Sequence, residues 1–406
     1  MIKLKILFTP CGIGLGHASR SIKIAEKLRL ISQNYDIKLE ILFSTYGSAV
    51  ELIRRTGFQV FKVPEVSYFQ KLDGTFDFKQ TMSRGTKYIK NFINQISLEL
   101  KHILRFKPHV VVSDSRLSSI IASRILGIPC ALISNQLALI IPRTKPMSSS
   151  IKVIKELSEK FISNFMSLMW NFSKQIFVPD LPPKIAICRF HVQDLKFFQD
   201  KIEFTGPIVS ILPNELPSSD KLISILKLKK SLPLIFGTIS GLGFEKSFLA
   251  KILIRSLYQL CDQMNFQSVI TLSNPSSYKV ILNKDRIRIL SWTNRYYEYL
   301  KVSNININHA GHTSIIEAIC YGVPMILIPA RGHTERISNA TIAEKLGIAV
   351  MLTYDELSID SLIESVKFLY SNDRVKRRIK ALQKIALKMN GAKRIAERIL
   401  NLALEE

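Results

Sequence analysis

The sequence predicts an α/β protein of two doubly wound domains facing each other across a cleft, and three observations lead there. Apolar, strand-like runs alternate with longer helical patterns from the first residue; a Pro- and Ser-bearing stretch at 209–220 has neither periodicity; and the rhythm of strand, Gly turn and helix restarts after it. Such alternation builds parallel sheets with helices on both faces, and these sheets bind ligands at the carboxyl edges of their strands.

Taken in order, KILFTP (5–10) precedes a Gly-rich turn and the helix-like HASRSIKIAEKLRLIS, and IKLEILFST (37–45) precedes GSAVELIRRTG and FQVFKV. HVVVSDS (109–115) leads into LSSIIASRILG, and IPCALIS (128–134) supplies the next strand, so Rossmann-like wrapping extends to residue 207. After the linker, at 208–220, come LPLIFGTISGLG, KSFLAKILIRSLYQLC, QSVITLS, RIRILSW, INININHAG, IIEAICYGVPMILIPA and TIAEKLGIAVML. The expected organisation is a first domain at 1–207, a second at 221–387, and a terminal helix at 388–406 that can pack back on the first domain.

Two segments raise the question of lipid. IKVIKELSEKFISNFMSLMWNF (151–172) reads as an amphipathic helix facing a core, with lipid contact the alternative. NQLALIIPRTKP (135–146) sets Leu139 and Ile140 beside Arg143 and Lys145, a composition suited to an anionic membrane surface or a lipid phosphate; a buried loop is the alternative.

Composition narrows the classes. Of 406 residues 47% are hydrophobic and 22% charged, which is globular, and 57 Lys and Arg against 32 acids give a net charge of +25 that draws polyanions. The excess is shared, +15 over residues 1–210 and +10 over 211–406. With no basic tail and no zinc-finger, RNP or basic-zipper pattern, a nucleic-acid binder is not expected. The five cysteines are far apart and form no CxxC pair, which fits reduced thiols in a cytosolic protein without a structural zinc site. The N-terminus lacks the zones of a signal peptide, and no uncharged apolar run reaches the roughly 18 residues of a membrane span. A soluble or peripheral protein is expected.

The chemistry begins at CGIGLGHASR, where Gly12, Gly14 and Gly16 allow a sharp turn and close ligand approach before His17 opens a helix. A dinucleotide fingerprint would need glycine in place of His17 and an acid ending the second strand, and a P-loop would need Gly-Lys-Ser/Thr; all are absent, so no cofactor is expected. Imidazole titrates near neutrality, and a histidine at a helix start on the strand edge sits where a ligand would lie, so His17 is the candidate general base. Packing or capping of the turn is the alternative. Asp114, ending the HVVVS run, can orient His17 or bind an acceptor hydroxyl, with helix capping the alternative.

The second half offers three further turns. FGTISGLG (236–243) presents Gly237, Thr238, Ser240 and Gly241; NHAGHTSIIEA (308–318) presents His309, Gly311, His312 and Thr313 at a helix start; and ARGHTERISNA (330–340) presents His333, Glu335, Arg336 and Asn339. Backbone N–H groups and hydroxyls at such starts bind phosphate without a metal. Glu317 stands one helical turn after Thr313, placed as a ribose diol requires. Turn chemistry and capping are the alternative for each.

GxGLGHxxR together with HAGHTSxxEAxxxGVPxxxxPxxGHTExxxNA resembles the family 28 glycosyltransferases of the two-domain GT-B fold, their archaeal branch above all. That family includes enzymes similar to those adding N-acetylglucosamine to lipid I and to dolichyl diphosphate N-acetylglucosamine. The resemblance implies an N-terminal acceptor domain and a C-terminal domain for a UDP-sugar. It makes His17 the acceptor-activating base, Gly14 and Gly16 the loop near the donor diphosphate, Gly311 and Thr313 the diphosphate holders, and Glu317 the ribose ligand. ILSWTNRYYEYL matches the region that contacts the base, through backbone near Trp292 and Thr293. Arg336 stands where family members often have Gln, which bears on the donor sugar. No DxD triplet occurs, so no metal is expected. The implied partners are a UDP-sugar, a polyprenyl or dolichyl diphosphate sugar and an anionic membrane, with the enzyme peripheral on the cytoplasmic face. A sugar-nucleotide epimerase of the same fold and a non-catalytic sugar-nucleotide-binding protein are the alternatives.

Overall fold

The computed structural model describes residues 2–13, 15–66, 85–138, 149–192, 198, 200–239, 243–273, 278–284 and 286–405. Of the residues singled out above, Gly14, Leu139, Ile140, Arg143, Lys145, Ser240 and Gly241 lie outside that set.

The first domain winds β1 (Ile2–Pro10), α1 (Gly16–Gln33), β2 (Ile37–Thr45), α2 (Ala49–Arg55), β3 (Gln59–Lys62), α3 (Gly85–Phe106), β4 (Val110–Asp114), α4 (Leu117–Ile125), β5 (Cys130–Ile133), α5 (Ser149–Trp170), β6 (Gln175–Val178) and β7 (Ile202–Phe204) around one sheet. Its order is β3-β2-β1-β4-β5-β6-β7, with every pairing parallel. The second half of β1 is buried on both sides because helices cover both: Leu4, Ile6 and Phe8 pack with α1, and Leu7 with Ile103 of α3 and Ile120 of α4. Phe8 stacks on Phe43 with centroids 5.2 Å apart.

Residues 209–220 hold a short 3-10 turn, Pro213–Glu215, and the start of α6 (Ser219–Ile225), capped by Ser218. The second sheet follows with β8 (Leu234–Thr238), α7 (Gly243–Gln263), β9 (Gln267–Thr271), β10 (Val280–Lys284), β11 (Ile287–Leu290), α8 (Tyr296–Val302), β12 (Ile305–Asn308), α9 (His312–Tyr321), β13 (Met325–Leu327), α10 (Thr334–Lys345) and β14 (Ala349–Met351). Its order is β10-β11-β9-β8-β12-β13-β14, parallel except for the β10–β11 pair. The chain ends in α11 (Ile359–Ser371), α12 (Asp373–Lys388) and α13 (Gly391–Leu404). α13 packs on α1, and its Ile395, Ala396, Ile399 and Leu400 complete the core of the first domain.

This topology decides where ligands can lie. Strand order reverses between β1 and β4 in one sheet and between β8 and β12 in the other. Reversal leaves a crevice at the carboxyl ends of the two strands, since the loops there diverge to opposite faces.

Candidate active site

At the first reversal Pro10 is in register with Asp114, so the turn entering α1 and the end of β4 are neighbours. His17, in the first turn of α1, places Nδ1 2.7 Å from Asp114 Oδ1. Asp114 is fully buried, whereas the His17 side chain keeps 27% of its surface, which leaves the ring open to the cleft. The larger partner of Asp114 is Arg20, one turn along the same helix. Its Nε donates to Oδ2 at 2.5 Å, its Nη2 donates to Oδ1, and Ser21 Oγ adds a bond of 3.3 Å to Oδ2.

Electrostatics fix the tautomer. Burial works to raise the Asp114 pKa, but the charges and hydrogen bonds of Arg20 and His17 outweigh it and hold the carboxyl at about 2. An ionised carboxylate only accepts, so Nδ1 of His17 donates and Nε2 is left with its lone pair. The arrangement can therefore take a proton at Nε2 while Asp114 stabilises the imidazolium.

The second domain meets this point with the start of α9. A Cβ on Gly16 would lie 3.5 Å from Thr313 Oγ1, so the N-termini of α1 and α9 converge. Neither helix has a side-chain cap, and α2, α4, α8 and α10 also lack one, whereas α6, α11, α12 and α13 are capped by Ser218, Ser358, Asn372 and Asn390. First-turn N–H groups at the cleft are thus left for a ligand, and the positive ends of two helix dipoles meet there.

The turn before α9 is built for position. Asn308 Oδ1 accepts from Ala310 N at 2.9 Å, and Asn339 Nδ2 donates to Ala310 O at 3.3 Å, holding Ala310 at φ 57°. Asn339 is itself fully buried, so it shapes the turn from beneath. His309 is buried with both ring nitrogens unpartnered among the described residues. Burial and nearby Arg336 lower its pKa to about 3, so it meets a ligand as a neutral ring. His333 is lowered to about 4 by the same two causes.

Other predicted residues carry partners already. Glu317 Oε1 accepts from Tyr297 Oη at 2.6 Å and lies 3.9 Å from Lys23 Nζ of α1, across the domain boundary. His312 turns its Nε2 to Asp180 Oδ2 at 2.9 Å, also across the boundary. Asp180, Cys188 and His312 bring ligand-type atoms within 4.8 Å, but Asp180 already accepts from Leu181 N and Cys188 N, at 2.7 and 2.8 Å. The group reads as a buried interdomain hydrogen-bond cluster. Glu335 accepts from Asn135 Nδ2 at 3.1 Å, and Asn135 accepts from Arg20 Nη1 at 3.1 Å, which ties α10 to the His17 site. Trp292 and Thr293 are partly buried at the end of β11; Trp292 Nε1 donates to Asn294 and Thr293 Oγ1 accepts from Arg295 N, both at 3.0 Å. Thr238 ends β8, and the missing side chain of Gly237 makes room for Ile270 of β9.

Arg20, Asn135, Asp180 and Lys23 were not singled out from the sequence. Arg20 had a signal, since it stands three residues after His17 and so on the same face of the helix. Lys23 stands on the same helix, six residues after His17, and only its partner Glu317 is distant; Asn135 and Asp180 join from the loops after β5 and β6.

Two doubly wound domains with their reversal crevices face to face define the GT-B architecture of glycosyltransferases. The calicheamicin glycosyltransferase CalG4 superposes with a TM-score of 0.67 at 17% identity, covering 99% of this chain and 98% of that one. Residues 250–399 match the glycosyltransferase family 28 C-terminal domain. A protein of Methanosarcina mazei described as an uncharacterized glycosyltransferase is 27% identical over 97% of each chain. A Caldanaerobacter subterraneus protein is 22% identical over 91% of each; it is the UDP-N-acetylglucosamine–N-acetylmuramyl-(pentapeptide) pyrophosphoryl-undecaprenol N-acetylglucosamine transferase.

Proposed function

We propose that this protein is an inverting glycosyltransferase that moves N-acetylglucosamine from UDP to a sugar carried on a polyprenyl or dolichyl diphosphate, at the cytoplasmic face of a membrane. The observation that supports it most is the convergence of the His17–Asp114 pair with the uncapped starts of α1 and α9. A general base and an anion site then share one crevice, as displacement of a nucleoside diphosphate requires.

In this reading His17 Nε2 takes the proton of the acceptor hydroxyl as that oxygen attacks the anomeric carbon. The bond to UDP breaks on the opposite side, so one displacement inverts the centre. The leaving diphosphate is met by first-turn N–H groups of α1 and α9 and by Thr313, without a metal. Neutral His309 gives a hydrogen bond and no charge. Backbone near Trp292 and Thr293 holds uracil, and a ribose hydroxyl replaces that of Tyr297 on Glu317. Glu335 and Arg336 face the donor sugar, where Arg336 takes the place of the usual Gln.

The test incubates the protein with radiolabelled UDP-N-acetylglucosamine and a short polyprenyl diphosphate sugar. A β-linked, lipid-extractable product is expected. Consumption of the donor with no acceptor present, or an α-linked product, overturns the reading.

A further inference from the structure

Lys23 is a charge in an expensive place. It stands on α1 of the first domain, at the boundary with the second, and its side chain keeps 8% of its surface. A lysine is almost never buried this far unless something pairs with it. The pairing it has is poor. Nζ donates to Tyr297 Oη at 3.4 Å and lies 3.9 Å from Glu317 Oε1, so three N–H donors share one long hydrogen bond among the described residues. Burial lowers its pKa from the usual lysine value, against the charges of Glu317 and Glu26. A desolvated ammonium with donors to spare, between two domains, is placed to meet a ligand.

We infer that Lys23 is a nucleotide-binding residue whose Nζ donates to a ribose hydroxyl oxygen, so that the ribose is held from both domains, with Glu317 accepting from the diol and Lys23 donating to it. The inference deepens the proposed function, on which it rests for the ribose at Glu317.

Three observations point this way. The first is complementarity. Each ribose hydroxyl both donates and accepts, and an ionised carboxylate only accepts, so Glu317 takes the protons and leaves the oxygens in need of a donor. Lys23 is a donor only. The second is that the two groups already share a hydroxyl: Tyr297 Oη donates to Glu317 Oε1 at 2.6 Å and accepts from Lys23 Nζ at 3.4 Å. A ribose hydroxyl that takes the place of Tyr297 meets the same acceptor and the same donor. The third is order along the helices. α1 and α9 meet at Gly16 and Thr313, where the helix starts converge, and again at Lys23 and Glu317. Glu317 is four residues beyond Thr313, about 6 Å along the axis of α9. Diphosphate at the helix starts and ribose a turn further is the order in which a nucleoside diphosphate carries them. Because α1 also bears His17, a ribose gripped by Lys23 fixes the helix that positions the imidazole.

The experiment measures binding of UDP and of 2′,3′-dideoxy-UDP to the full chain by calorimetry, for wild type and for Lys23→Met, which keeps the apolar stem and removes the ammonium. An unchanged melting temperature checks the fold. Wild type should bind UDP at least about tenfold more tightly than the dideoxy nucleotide, and the variant should lose at least about tenfold for UDP and less than about threefold for the dideoxy nucleotide. Equal losses for both, or none for either, overturn the inference, because a lysine that only ties the domains together does not read the ribose hydroxyls. Tyr297→Phe supplies a second variant should the first fail to fold. It frees Lys23 and Glu317 for the ligand and should widen the preference for UDP over the dideoxy nucleotide at least about threefold; an unchanged or narrower preference overturns the inference. Sugar transfer is assayed separately. A preference that collapses in Lys23→Met without any transfer defeats the proposed function and leaves the ribose contact standing; transfer with an unchanged preference does the reverse.

Discussion

Arg20→Ala tests the electrostatic framework on which His17 depends. Asp114 has no exposed surface, and the Arg20 side chain retains 6%. Removing the guanidinium leaves an ionised, buried carboxylate with His17 and Ser21 as its side-chain partners. Breaking a buried pair from one side costs about 3–5 kcal/mol, because the remaining charge is stranded. The pH dependence makes the claim specific. The Asp114 pKa is depressed to about 2 from 3.8, so its contribution is complete above pH 4 and is lost as pH falls through 2. The amount is about 2 kcal/mol. Without Arg20 nothing comparable holds the carboxyl ionised, so the gap between wild type and variant should narrow as the buried group protonates.

The chain has two tryptophans, and Trp170 is buried in the first domain while Trp292 lies in the second. In a Trp292→Phe background, urea unfolding followed by Trp170 fluorescence reports the first domain alone. A gap below about 1 kcal/mol at neutral pH, or one that stays constant down to pH 3, would refute the reasoning. Adding Asp114→Asn to Arg20→Ala should recover part of the loss, since the stranded charge is then gone.

His17→Ala should lower turnover by at least about a hundredfold while UDP affinity, set mainly by the second domain, changes little; near-normal turnover returns His17 to a packing role. UDP at a hundred times its dissociation constant should add roughly 2.7 kcal/mol of stability in a thermal-shift panel, and a response to NAD with none to UDP counts against the donor site. Gly391→Ala should destabilise the protein by about 1–3 kcal/mol, because the new Cβ would overlap Gly206 O and sit 2.6 Å from Pro207 O; an unchanged melting temperature would show that the crossing can give way.

What the sequence made legible follows a physical rule. β4, the restart at β8 and the second halves of β1 and β2 were readable because strand segments buried on both faces are mostly apolar, with Lys3, Lys5, Lys38 and Glu40 confined to the first halves, and the Gly-rich turns were readable because tight helix starts need small residues. The pairings were not. Arg20 with Asp114, Lys23 with Glu317 and Asp180 with His312 join residues 94, 294 and 132 positions apart, and distance in the chain leaves no local pattern. α5 shows a related limit. Trp170 and Met166 pack on the core while Leu157, Phe161 and Phe165 are exposed, and helical periodicity alone does not tell which apolar residues turn inward.

The last helix changes how the cleft can move. Because α13 belongs to the core of the first domain, the chain passes between domains twice, near Gly206 and near Gly391, and the two passages touch: Gly391 N donates to Pro207 O at 3.2 Å. The crossing is tight, with the Met389 side chain packed on Gly206 and no room for a Cβ on either glycine, so it resists separation of the two passages. Away from it, α9 and α1 meet through Thr313 and Gly16, Glu317 and Lys23. A ligand seated between those helix starts would tighten contacts that already cross the boundary, so binding a diphosphate and closing the domains over His17 are favoured by the same contacts.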